Sequence, residues 1–203
     1  MDTIDNREKS MKKALVRFCI FSMIMIVTAL TVPGTLSAYT ASGTLTADET
    51  WSGTVTLTGD VAVPEGVTLT IEAGTTVQFA SLSDDASGGS HSSLSELIIN
   101  GSLVARGTDA APILMTSSAI SKAKGDWGGI YVSWGLGSKT LDIEYCTIEY
   151  AVNGLSFRSS TGIHTTNINH NLIRQVSQDG IYIYGGGGVK VTPVINNNEI
   201  HDA

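Results

Sequence analysis

Tyr131, Ser156 and Tyr182 recur at intervals of 25 and 26 residues, and Ser133, Arg158 and Tyr184 follow each of them by two. Side chains two apart on a strand share one face, so Tyr131, Arg158, Tyr182 and Tyr184 are candidates for a single binding strip. Aromatic rings offer flat apolar faces with a hydroxyl at the edge, and a guanidinium holds a carboxylate through charge-assisted hydrogen bonds. Such a strip could grip a sugar chain, with Arg158 on a uronic acid; Tyr and Ser equally suit exposed strand positions that bind nothing. Glu149, Arg174 and His201 form another column at 25 and 27 residues. An acid-base trio is conceivable there, but the reading taken is an exposed ion pair worth about 0–1 kcal/mol. His91, His164 and His170 show no metal-ligand spacing, so no metal is assigned. Asp84 and Asp85 sit among Ser and Gly, where a weak calcium loop competes with a solvated loop; the solvated loop is taken. No cofactor-binding motif is present.

The elements that must position these residues announce themselves as a repeat. The strings IEYCTI (143–148), INHNLI (168–173) and INNNEI (195–200) match with their first isoleucines 25 and 27 apart, and GIYV (129–132), GLSF (154–157) and GIYI (180–183) keep step with them. A period near 25 accommodates three short strands and three turns, one coil of a solenoid. Ile143, Ile168 and Ile195 then form one internal column, Ile130, Leu155 and Ile181 a second, and Val132, Phe157 and Ile183 a third. No coil buries its apolar face alone.

The earlier stretch VAVPEGVTLTIEAGTTVQF (61–79) alternates apolar and polar residues in three short runs broken at Pro64-Glu65-Gly66 and Glu72-Ala73-Gly74, as strands and turns of one coil would. TLTIEAG (68–74) and ELIINGS (96–102) are alike, which predicts Leu69 over Leu97 and Ile71 over Ile99. Residues 81–93 and 117–126 read as loops leaving the solenoid, with one possible helical turn at Ser118 to Lys124.

The first 38 residues differ in kind. Lys12, Lys13 and Arg17 precede an apolar run, Ala14 to Val32, followed by PGTLSA. This is a secretory signal with cleavage expected after Ala38, against the rival of a retained membrane anchor. The remaining residues 39–203 carry seven basic and sixteen acidic side chains, a net charge of −9. Without a basic stripe nucleic acid is not a partner, and after cleavage no membrane segment remains. Cys146 is then the single thiol, with no intrachain disulfide to form and with neighbours that suggest a buried small residue. The final string stops without a polar cap, so residues 39–203 are expected to be an incomplete domain that continues, or whose end a partner covers.

VPEGVTLTIEAGTTVQF, NGSLVARGT, PILMTS and DWGGI together resemble the secreted right-handed parallel β-helix proteins of the pectin-lyase-like group, over roughly residues 50 to 203. The resemblance implies an all-β right-handed parallel β-helix. It also implies a structural ladder at one turn, with Asn171 and Asn198 stacked and Cys146 in the third coil. That scaffold hosts lyases, hydrolases, adhesins and plain shafts. The hydrolases' Asn-Thr-Asp, Gly-His-Gly and Arg-Ile-Lys motifs are absent, the one Asp-Asp lies in a loop, and Arg158 and Arg174 lack the acidic companions of a lyase apart from Glu149. The expectation is a secreted, non-catalytic domain for surface attachment or contact with an extracellular polysaccharide. The alternative is a fragment of a polysaccharide lyase or glycoside hydrolase acting on acidic polysaccharide.

Overall fold

The computed structural model describes residues 38–86, 88–133, 139–159, 164–185 and 193–203. The leader read in residues 1–38 lies outside them except for Ala38, which begins the first strand. Among the described residues there is no helix, the stretch Ser118 to Lys124 included.

Strands stack in three parallel columns around one interior, as a right-handed parallel β-helix. The first stack runs from the end of Thr54–Val63 through Glu96–Ile99, Gly129–Ser133 and Leu155–Ser159 to Ile181–Gly185. The second holds Glu49–Trp51, Thr68–Ile71, Ser102–Arg106, Lys139–Glu144, His164–Asn169 and Val194–Asn196. The third begins with the start of Thr54–Val63 and continues through Thr76–Phe79, Ile113–Ser117, Cys146–Glu149 and Leu172–Arg174 to Glu199–His201. Thr54–Val63 thus turns a corner and serves two stacks. Ala38–Thr44 pairs with it in parallel in the same sheet.

Because the strands are parallel and in register, like residues stack at roughly 4.8 Å. Ile143 pairs with Ile168 and Ile168 with Ile195. Ile130, Leu155 and Ile181 align, as do Val132, Phe157 and Ile183. The inward positions are closed to solvent from Trp51 to Ile173. Trp127 stacks on Phe79 with ring centroids 3.7 Å apart, and its Nε1–H donates to the Glu149 carbonyl at 2.9 Å.

One expected register is corrected. Leu97 pairs with Val61, and Leu69 with Leu103. The connection after Val63 is two residues longer than the one after Ile99, which disguised first-stack and second-stack strands as equivalents.

The turn leaving the second stack is held by side chains. The Asn171 Oδ1 accepts the Cys146 N–H at 2.9 Å, and its Nδ2 donates to the Ile143 carbonyl at 2.8 Å and to Asn198 Oδ1 at 2.9 Å. Asn198 accepts the Asn171 N–H at 2.9 Å and donates to the Ile168 carbonyl at 2.8 Å. Cys146 is buried, and desolvation pushes its thiol far above the ordinary range, which leaves it an unreactive packing group.

Candidate functional site

Two long excursions leave the solenoid at the same corner, between the third and first stacks. Higher coils cross that corner in a few residues, Tyr150 to Gly154 and Gln175 to Gly180. Excursions therefore wall in a surface that the short corners leave open.

The first excursion, residues 81–93, folds back onto the sheet through carboxylates. Asp60 accepts the N–H of Gly88 at 2.6 Å and of Glu96 at 2.7 Å. Asp84 accepts the N–H of Asp60 at 3.1 Å and of Ala86 at 2.9 Å, and Asp85 takes the Thr58 hydroxyl at 2.7 Å. Glu96, 2 % exposed, accepts the N–H of Ser90 at 2.6 Å and of His91 at 3.0 Å, with His91 Nδ1 at 3.1 Å from its other oxygen. The loop is solvated as expected, with Asp85 exposed, and the carboxylates of Asp84 and Asp85 also fasten it to the sheet.

Above it lies a groove of about 280 Å³. Ser90, His91 and Glu96 form one wall, Asn153, Gln178 and Asp179 of the short corners form another, and Tyr131, Ser156, Arg158 and Tyr182 rise from the first stack. Gly129 keeps the corner narrow, since it has φ +120° and a Cβ there would stand 1.9 Å from the Asn153 carbonyl. Tyr131, Ser156 and Tyr182 align in register. The Arg158 guanidinium carbon lies 5.9 Å from the Tyr131 ring centroid, a cation–π contact that parks the side chain beside the groove.

Of the four residues in the candidate strip, Tyr131, Arg158 and Tyr182 line this groove. Tyr184 pairs with Arg158 in register and is 56 % exposed, but it stands outside the lining. Sequence reasoning missed His91, Glu96, Asn153 and Asp179. A signal existed for the last two: Asn153-Gly154 and Asp179-Gly180 recur ahead of the outward strands, and the Asp179 N–H donates to Asn153 Oδ1 at 3.1 Å. His91 carried no such signal, because its excursion occurs in one coil.

Glu149 departs from the expectation in its burial. It is 6 % exposed, covered by the second excursion, and accepts the Thr116 hydroxyl at 3.0 Å and Arg174 Nε at 3.0 Å. Lys122 of that excursion donates to Thr116 at 2.9 Å. The expected ion pair with Arg174 is thus present at 2.9 Å, but its carboxylate is buried with donors in place while only the arginine stays part-exposed. His201 pairs in register with Arg174 and turns to Asp202 at 2.9 Å.

Burial, with the nearby Asp84 and Glu96 charges, pushes the Asp60 carboxyl up to about 6 against the pull of its two backbone N–H donors. An ordinary aspartate in the unfolded chain releases its proton near 3.8. Folded protein thus holds a proton that unfolded protein has lost, and this contribution to stability fades as pH rises through about 6. Thermal melting across pH 4–7 should show that decline. Asp60→Asn, which has no proton to release, should flatten the slope; an unchanged slope would assign the titration elsewhere.

A family model described as a pectate-lyase like beta helix domain matches residues 38–138. The match includes His91, Glu96 and Tyr131, whereas Arg158 and Tyr182 lie beyond it. No curated protein and no solved structure matches the chain.

Proposed function

From the pectate-lyase-like β-helix domain that residues 38–138 carry, we propose that this is a secreted, non-catalytic domain for surface attachment that contacts extracellular polysaccharide through the groove at Tyr131, Arg158 and Tyr182. One observation carries this reading. Two tyrosines aligned along the helix axis, with Ser156 between them and Arg158 beside them, share one walled groove. Ring faces stack on sugar, and hydroxyls and amides at the rim meet its hydroxyl groups.

Calorimetric titration with polygalacturonate, alginate and a neutral glucan tests it. Tyr182→Ala should weaken neutral and acidic glycans alike. Arg158→Ala should weaken only the acidic ones, by about 1–3 kcal/mol for a lost charged hydrogen bond. Affinities unmoved by both substitutions would leave the strip a plain strand surface. Secretion rests on the charged start and apolar run before Ala38; N-terminal sequencing of exported protein should read Tyr39 first, and a product retaining residues 14–32 in membranes would refute it.

A second reading, a fragment of a polysaccharide lyase or glycoside hydrolase, draws on the His91–Glu96 pair. His91 Nδ1 stands 3.1 Å from an oxygen of the buried Glu96 carboxylate, a contact that orients the imidazole in the groove wall. Release of reducing sugar or unsaturated uronate from acidic glycans, abolished by His91→Ala, would favour it.

A further inference from the structure

Ile98 faces outward, in the same column as Tyr131, Ser156 and Tyr182, yet it is only 8 % exposed. All four residues of Glu96–Ile99 are buried, where alternation would leave two open. The cover is the tip of the first excursion. A Cβ on Gly88 would lie 3.5 Å from Ile98 Cδ1, and one on Gly89 3.2 Å from it and 1.9 Å from Glu96 Oε2. The backbone at Gly88 and Gly89 thus lies directly over the sheet, and Ser90 and His91 continue it as the groove wall. Asp60 and Glu96 of the sheet accept N–H groups of this strap, and Asp84 of the excursion accepts the Asp60 N–H in return.

The outward column therefore has two parts. From Gly129–Ser133 upward it is an open floor; one strand below, at Ile98, it runs under a strap. Stacking positions repeat along the helix axis, about 4.8 Å per strand, so a sugar chain using successive rings lies along that axis. A chain lying that way meets Ser90 and His91 and goes no further. Resting on the carbohydrate reading above, we infer that the groove is blind at the strap and recognises the end of a polysaccharide chain, not an internal stretch.

Stoichiometry tests this directly. Polygalacturonate, alginate and a neutral glucan are titrated calorimetrically as long chains and again after partial depolymerisation, at equal mass. End recognition gives one protein per chain at every length. Tenfold shorter chains should lower the half-saturating mass concentration about tenfold, because each mass then carries ten times the ends. Several proteins per long chain, with half-saturation indifferent to chain length, would overturn the inference while leaving carbohydrate binding intact. Absence of binding to all three would sink the carbohydrate reading, and end recognition with it. Gly89→Val, which drives a side chain into Glu96 and Ile98, should lift the strap; in a variant with a near-native melting transition, binding should change to several proteins per long chain. A persisting one-to-one ratio there would show that the strap is not what closes the groove.

Discussion

Ile168→Ala is expected to destabilise the protein by about 2–5 kcal/mol, whereas Asn169→Thr beside it should change stability by under roughly 0.5 kcal/mol. Ile168 is closed to solvent and sits in register between Ile143 and Ile195. Truncation removes apolar contacts on both sides and leaves a cavity that the rigid coils above and below cannot fill. Asn169 points the other way; its contact with Asn197 Nδ2, at 3.1 Å, is exposed. Denaturant unfolding of the two variants measures the difference. Solenoids can unfold in parts, so the comparison is read from the first transition that the variants shift. Equal effects would mean that the inward and outward assignment is wrong.

Asn171→Ala should cost about 2–4 kcal/mol, more than Asn198→Ala. Asn171 is 2 % exposed and stands between Cys146 and Asn198 in the ladder. Its loss strands the Cys146 N–H and removes a donor from the Ile143 carbonyl, and a buried polar group left without a partner costs about 1–3 kcal/mol. Asn198 is half-buried, so water can replace part of what it supplies. Asn171→Asp should rescue little: it keeps the acceptor for Cys146 but turns acceptor against acceptor at Asn198 Oδ1 and at the Ile143 carbonyl. A melting temperature for Asn171→Ala as high as that of Asn198→Ala would remove the ladder from the account of stability.

The strap bears on both readings of function. It supplies His91 to the groove beside Glu96, and it covers the outward Ile98 of Glu96–Ile99. A plain shaft would gain from this wall only the burial of Ile98. A site that must tell a chain end from its middle gains the wall itself.

The sequence alone determined the coil, its period, the inward columns and the face that Tyr131, Arg158 and Tyr182 share. Covalent alternation along a strand and constant coil length are both written in residue spacing, so stacking followed from counting. The same method misplaced Leu69 over Leu97, since two alternating apolar strands look alike until pairing tells which stack each joins. Only tertiary structure decided that the excursions fold back, that Glu96 and Glu149 are buried, and that a groove ends at a strap. Those outcomes rest on single, unrepeated hydrogen bonds between residues far apart in the chain, Thr58 to Asp85 and Gly88 to Asp60 among them. A carboxylate satisfied by backbone N–H groups leaves no periodic mark, and the path of a loop is set by which donors it meets in space.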